Sequence, residues 1–190
     1  MEMNSSCCTP PGSGSGSGSG SASATISRPV PTVGGSFRLI DDSGTAVTER
    51  SYFGKYLLVF FGFTHCQTVC PPALTRIDNV IDQLGDLADR VQALYVTVDP
   101  ERDTPEVMHA FLAANHPRIT GLTGPAAEIE SAKKAYHVHS RRVDDPDGYR
   151  MPHSAFTYLM GPEGEYLAHF VDPVDSNDIA TAVKSCLAER

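Results

Sequence analysis

The sequence predicts an α/β fold in which a central sheet carries helices on both faces. Three observations predict it. Leu57 to Gly62 is a short, continuous apolar run, the composition of a strand buried on both sides. Leu74, Ile77, Val80, Ile81, Leu84 and Leu87 then recur at three- and four-residue steps, the stripe of an amphipathic helix. Val91 to Val98 is apolar again, and strands and helices keep alternating beyond it, the order of a layered α/β domain.

The length of 190 residues suits one domain of ordinary size, and 41% hydrophobic with 20% charged residues suits a packed one. Gly12 to Ser21 alternates Gly and Ser strictly, as flexible linkers do. Residues 1–25 are therefore expected to be a flexible leader, and 26–190 the folded domain. Net charge is -8 and no block of Lys or Arg stands out, which excludes the electrostatic footprint of a nucleic-acid binder. The longest apolar run, Leu57 to Phe61, is far short of the ~20 residues that span a bilayer.

Taken in order, Pro29, Pro31, Gly34 and Gly35 make an extended leading segment. Ser36 to Ile40 alternates as a strand, Asp41 to Gly44 turns, and Thr45 to Val47 returns, an amino-terminal hairpin. The buried strand follows, then the amphipathic helix, with Pro71 and Pro72 in its first turn where no amide donor is needed. After the strand ending in Asp99-Pro100, Thr104-Pro105-Glu106 starts a helix with Val107, Ala110, Phe111 and Ala114 on one face. A third helix is expected over Ala126 to Tyr136. Ser154 to Met160 and Glu165 to Phe170 read as paired strands around a Gly161-Pro162-Glu163-Gly164 turn, and Asp175 to Leu187 as a closing helix. This order outlines a thioredoxin-like three-layer sandwich with an amino-terminal hairpin extension.

Cys66 and Cys70 carry the chemistry. They leave the buried strand and lead into the helix, with Pro71 after the second thiol. Residues four apart share a helical side, so the sulfurs can converge. A helix amino terminus presents free N–H groups and partial positive charge, which favours thiolate over thiol. Such a pair can hold a soft metal such as Cu(I) or Zn(II), or cycle between dithiol and disulfide. Of the other cysteines, Cys7 and Cys8 fall in the leader. Cys186 shares a helical face with Ile179, Val183 and Leu187 and reads as core.

A metal needs at least one more ligand, and His153 is the best candidate, because in this fold the loop before its strand faces the cysteine helix. By pattern alone a lone histidine is more often structural. His65 adjoins Cys66 but is expected to point away. His137 and His139 would share a strand face but lack a third ligand. His109, His116 and His169 read as ordinary surface or helix residues. Met151 and Met160 are candidate thioether ligands that packing explains as well. In the acidic loop Asp99-Pro100-Glu101-Arg102-Asp103-Thr104-Pro105, Asp103 or Thr104 reads as a helix cap, while Asp99 stays open between a role near a metal and one in receiving a partner.

Three segments together resemble one family: Phe61 to Pro71, then Val98 to Pro105, then His153-Ser154-Ala155 leading to Tyr158 through Gly164. The chain is similar to the SCO/SenC copper proteins that assemble cytochrome c oxidase, over about residues 30–190. The resemblance implies a thioredoxin-like domain that binds Cu(I) or Cu(II) through Cys66, Cys70 and His153. It implies the dinuclear CuA site of oxidase subunit II as client, and an upstream copper donor or thiol reductant as a further partner. It also implies a monomer outside the cytoplasm, in a bacterial periplasm, tied to the membrane by an amino-terminal anchor this chain lacks. Pro152 departs from many relatives, which carry a polar or acidic residue before the histidine.

The leading expectation is a metallochaperone rather than a turnover enzyme, with the disulfide form blocking copper loading. The alternative is a thiol-disulfide oxidoreductase that reduces the CuA-site cysteines before metallation. It leaves His153 without a purpose. A peroxidase of the peroxiredoxin type would need a proline ahead of Cys66 that Phe60 to Thr64 do not supply.

Overall fold

The computed structural model describes residues 33–188, Gln67 and Asp147 excepted. The leader at 1–25 with Cys7 and Cys8, and also Pro29 and Pro31, lie outside the described residues. Within them the elements are β1 (Arg38–Asp41), β2 (Ala46–Thr48), β3 (Tyr56–Gly62), α1 (Cys70–Leu84), β4 (Val91–Thr97), α2 (Pro105–Asn115), β5 (Ile119–Thr123), α3 (Ala126–Ala135), β6 (Val143–Asp145), β7 (Gly148–Arg150), β8 (Phe156–Met160), β9 (Tyr166–Val171) and α4 (Ser176–Ala188). The main sheet runs β2-β1-β5-β4-β3-β8-β9, and β6 and β7 pair separately. Strands β3, β4 and β5 are parallel, while β8 runs antiparallel beside β3. This is the predicted thioredoxin-like α/β architecture.

The apolar run becomes β3 because every one of its residues is buried. Fully burying a side chain such as Leu58 or Phe60 stabilises the fold by ~1.5–3 kcal/mol. Alternation along β3 assigns the two faces. Tyr56, Phe60 and Gly62 face the layer of α1, α2 and α4. The Tyr56 hydroxyl donates to the Cys186 carbonyl of α4 at 2.8 Å. Phe60 stacks on Tyr95, and Tyr95 stacks on Phe111 of α2. Phe61 faces the opposite way, toward Tyr136 at the end of α3 and Tyr158 of β8. Helices cover both faces, as expected, but unequally.

The strand β5 is absent from the sequence expectation. Gly121 interrupts its apolar pattern, and the packing shows why glycine stands there. A Cβ at that position would lie 2.9 Å from Leu112 Cδ1 of α2. The β6–β7 hairpin was also expected to be loop, since Val143-Asp144-Asp145 and Gly148-Tyr149-Arg150 offer no apolar face. No strand holds His137 and His139 on one face. Residues 137–139 turn after α3, with His137 at φ 55°.

Candidate metal centre

Topology brings the site together. A strand antiparallel to β3 begins where β3 ends, so the approach to β8 reaches the loop leaving Gly62. That loop carries Phe63 to Val69 and enters α1 at Cys70, with Pro71 and Pro72 in the first turn. Both thiols are buried and free. The Cys66 sulfur faces the Cys70 thiol and the backbone amides of Thr68, Val69 and Cys70, all of which favour its thiolate. The hydrogen bond from Cys70 is the main cause that pushes the Cys66 thiol down. The same bond, aided by burial, pushes Cys70 up. The pair therefore favours a thiolate at Cys66 beside a protonated Cys70.

His153 comes from the segment before β8, bridged to Ser140 rather than inside a strand. Its Nδ1 lies 2.9 Å from the Met151 carbonyl. A carbonyl only accepts, so Nδ1 carries the hydrogen and Nε2 is left with its lone pair. That Nε2 stands 3.8 Å from Cys70 Sγ. The ring is held edge-on to Phe63, centroids 5.7 Å apart. Among the described residues, no three His, Cys, Asp or Glu side chains already converge at metal-ligating separations. Two pair contacts, Cys66–Cys70 and Cys70–His153, share Cys70 instead. Two soft sulfurs and one bare imidazole nitrogen form a donor set that fits a thiophilic ion such as Cu(I). All three line an open cleft of about 760 Å³ or contact a residue that does, with Val69, Tyr149 and Met151 on its walls.

The acidic loop after β4 anchors both halves. Asp103 does not cap α2; Thr104 does, its hydroxyl accepting from the Val107 amide at 3.4 Å. Asp103 is fully buried and accepts from the Thr64 hydroxyl (2.6 Å), the Thr64 amide (3.1 Å) and the Thr97 hydroxyl (2.6 Å). It therefore pins the cysteine loop. Burial pushes its carboxyl upward despite those donors. Asp99 turns to the hairpin. It accepts from Arg102 Nε at 2.5 Å and from the Tyr149 hydroxyl at 2.9 Å. The Arg102 guanidinium also donates to the Tyr149 carbonyl at 3.1 Å. The guanidinium carbons of Arg102 and Arg142 each lie 3.7 Å from the Tyr149 ring centre. These contacts explain how a polar hairpin holds its place.

The remaining candidates fall elsewhere. His65 is exposed, with Nδ1 3.1 Å from the Thr64 hydroxyl. His109 pairs with Asp42 on the surface, and His169 is exposed on β9 beside Tyr166. His116 is not an ordinary surface residue; it is buried, with Nδ1 2.5 Å from Asp78 of α1. Met160 is core, with its methyl under Gly34, and Cys186 is core as expected. Met151 lines the cleft and contributes its carbonyl to His153. Sequence reasoning missed Tyr95, whose ring is fully buried and whose hydroxyl lies beside Cys70 beneath the site. Burial drives its phenol well upward, so it keeps its proton. The one available signal was its place in a strand next to β3.

The SCO1/SenC family model matches residues 26–188. Protein sco1 of Schizosaccharomyces pombe is 38% identical over 171 residues, covering 87% of this chain and 64% of that protein. The structure of Bradyrhizobium japonicum ScoI with copper bound is 41% identical, with TM-score 0.75, covering 80% of this chain and 98% of that one. A structure of BsSco, a member of the Sco family of cytochrome c oxidase assembly proteins in which a disulfide switch was identified, is 31% identical. Its TM-score is 0.67, and it covers 87% of this chain and 99% of that one. The chain spans between about half and two thirds of the length of the first curated relatives it matches. With a family model over most of its length and a 41% identical structure of the same fold, the chain belongs to the SCO1/SenC family.

Proposed function

We propose that this domain is a copper carrier in cytochrome c oxidase assembly, holding the ion through Cys66, Cys70 and His153. The observation that carries this is the His153 ring. Its Nδ1–H is committed to the Met151 carbonyl, and its bare Nε2 faces Cys70 Sγ at 3.8 Å. A lone pair fixed there by a hydrogen bond at the other ring nitrogen is the arrangement of a metal-ligating histidine, although a disulfide exchanger could use it as a base for Cys70. The soft donor set and the copper-bound relative support copper as the ion. The Sco relative assigned to oxidase assembly supports the oxidase as destination. We place the transfer at the CuA site of subunit II, with Cys66 and Cys70 released by exchange of thiolate ligands.

Loading requires both thiols reduced and displaces their remaining protons, so affinity rises with pH until both sulfurs are thiolate. The site then belongs outside the cytoplasm, where an oxidase copper centre is assembled. No described helix is long and apolar enough to cross a membrane. Titration of the reduced protein with Cu(I), beside His153→Ala, tests the reading. One copper per chain and a 10–100-fold or larger loss of affinity in the variant (~1.4–3 kcal/mol) are expected. Unchanged affinity in His153→Ala would overturn it.

The depressed Cys66 thiol favours a second reading. As a reductant, Cys66 thiolate would attack a client disulfide and form a mixed disulfide. Cys70 would then lose its proton and displace the client thiolate, leaving Cys66–Cys70 oxidised and the client reduced by two electrons, with one proton from Cys70 and one from solvent. Rapid reduction of an oxidised CuA-site peptide by His153→Ala, with copper binding lost, would separate this activity from carriage.

A further inference from the structure

The ring of Tyr95 on β4 is held on both sides. It stacks on Phe60 at 6.3 Å with 9° between planes, and on Phe111 at 6.1 Å with 25°. Nothing of the residue is exposed. Yet its hydroxyl makes no hydrogen bond of normal geometry among the described residues and is left to the weak acceptor of the neutral Cys70 thiol. A buried hydroxyl without a good partner is costly, and phenylalanine would fill the same space without that cost. The residue makes physical sense if another state of the site supplies a stronger acceptor.

Gly62 shows where that acceptor lies. A Cβ on Gly62 would stand 2.6 Å from Cys70 Sγ and 2.7 Å from the Tyr95 hydroxyl oxygen. Sulfur and hydroxyl thus converge over the residue of β3 that has no side chain to separate them. A neutral thiol sulfur is a weak acceptor, and a thiolate is a much stronger one.

We propose that Tyr95 is a positioning residue whose hydroxyl donates to Cys70 Sγ once that sulfur is a metal-bound thiolate. The bond holds Cys70 in its ligating orientation and draws electron density from the sulfur. A less donating thiolate favours Cu(I) over Cu(II). In the empty site the hydroxyl meets only the weak acceptor of a neutral Cys70 thiol, so the stronger bond of the loaded state also biases the site toward holding copper. The inference rests on the reading of Cys70 as a copper ligand.

The test compares wild type, Tyr95→Phe and Tyr136→Phe, a buried tyrosine on the opposite face of the sheet. The thiolate-to-copper charge-transfer band of the Cu(II) protein should move to lower energy in Tyr95→Phe. The ratio of Cu(I) to Cu(II) affinity should fall roughly tenfold, the scale of one hydrogen bond to a charged acceptor. Tyr136→Phe should leave both unchanged. In wild type alone, the Tyr95 hydroxyl proton resonance should move downfield when Cu(I) binds, a readout that survives even if the variant fails to fold. Identical bands and affinity ratios in wild type and Tyr95→Phe, or a hydroxyl resonance that copper does not move, would overturn the inference while leaving the ligands in place. A wild type without any thiolate-to-copper band would instead overturn the ligand assignment itself, and this inference with it.

Discussion

The cysteine half and the histidine half of the site are built on different principles. Cys66 and Cys70 sit between the most buried strand of the sheet and the first turn of α1, where regular structure and core packing set their positions. His153 sits on an arm of short segments around residues 139–154. It is tied by the Tyr149–Asp99 bond, the Arg102–Tyr149 carbonyl bond and the backbone pair Ser154 N to His139 O at 2.9 Å. Packing resists displacement in all directions, whereas a few polar contacts open one at a time. The contrast assigns separate duties. On the proposed reading, the sulfurs would hold a preorganised pair and the imidazole would be the ligand to leave first.

Overpacking the cysteine half should have the largest effect. Gly62→Ala puts a methyl 2.6 Å from both Cys70 Sγ and Tyr95 Cε2. Neither neighbour has room to retreat, since both are fully buried. A loss of ~1–3 kcal/mol in denaturant unfolding is expected, together with weakened copper binding. A variant as stable as wild type would show that the cysteine half is less rigid than its burial implies.

Loosening the histidine half should cost less stability and more order. Tyr149→Phe removes the hydroxyl bond to Asp99 but keeps the ring between the two guanidinium groups. About 1 kcal/mol of stability should be lost. Amide exchange should quicken over residues 148–154 and stay unchanged in β3 and α1. Equal acceleration in both halves would erase the distinction between them.

The third test is one of pH. Because the folded Cys66 thiol is depressed, its contribution to stability is present above the unfolded thiol value and fades as pH falls through the folded one. Cys70, shifted upward, contributes below the unfolded value and loses that contribution as pH rises toward the folded one. The two windows meet at the ordinary thiol value without overlapping, so stability should rise with pH from about 4 up to that value and decline beyond it. Reactivity should separate them. Alkylation of the reduced protein at about pH 6, well under the ~8.5 of a free thiol, should label Cys66 ahead of Cys70 and Cys186. Mass spectrometry of the labelled peptides reads the order, and equal labelling would remove the thiolate from Cys66.

Much of this was legible in the residues because it is local. The apolar run of β3, the 3.6-residue stripe of α1 and the prolines after Cys70 each announce themselves within a dozen positions. The parts that were not legible depend on distant partners. The strand character of β5 was hidden by Gly121, whose reason is the close approach of α2. Asp103 looked like a helix cap because capping is local, whereas its three donors include Thr64, 39 positions away in sequence. His116 looked ordinary until Asp78 of α1 met it.

The residues alone determined an α/β domain with two reactive thiols at a strand-to-helix junction, since periodicity and helix-terminus chemistry act over a few positions. The tertiary structure set the expected His153 against Cys70, and it alone decided which ring nitrogen is free and which thiol favours its proton. It also put the Tyr95 hydroxyl under Cys70 and turned Asp99 and Asp103 into anchors for the two halves. Those are questions of distance and desolvation between groups far apart in the chain. An antiparallel strand laid beside β3 sets those distances, and no short-range pattern encodes them.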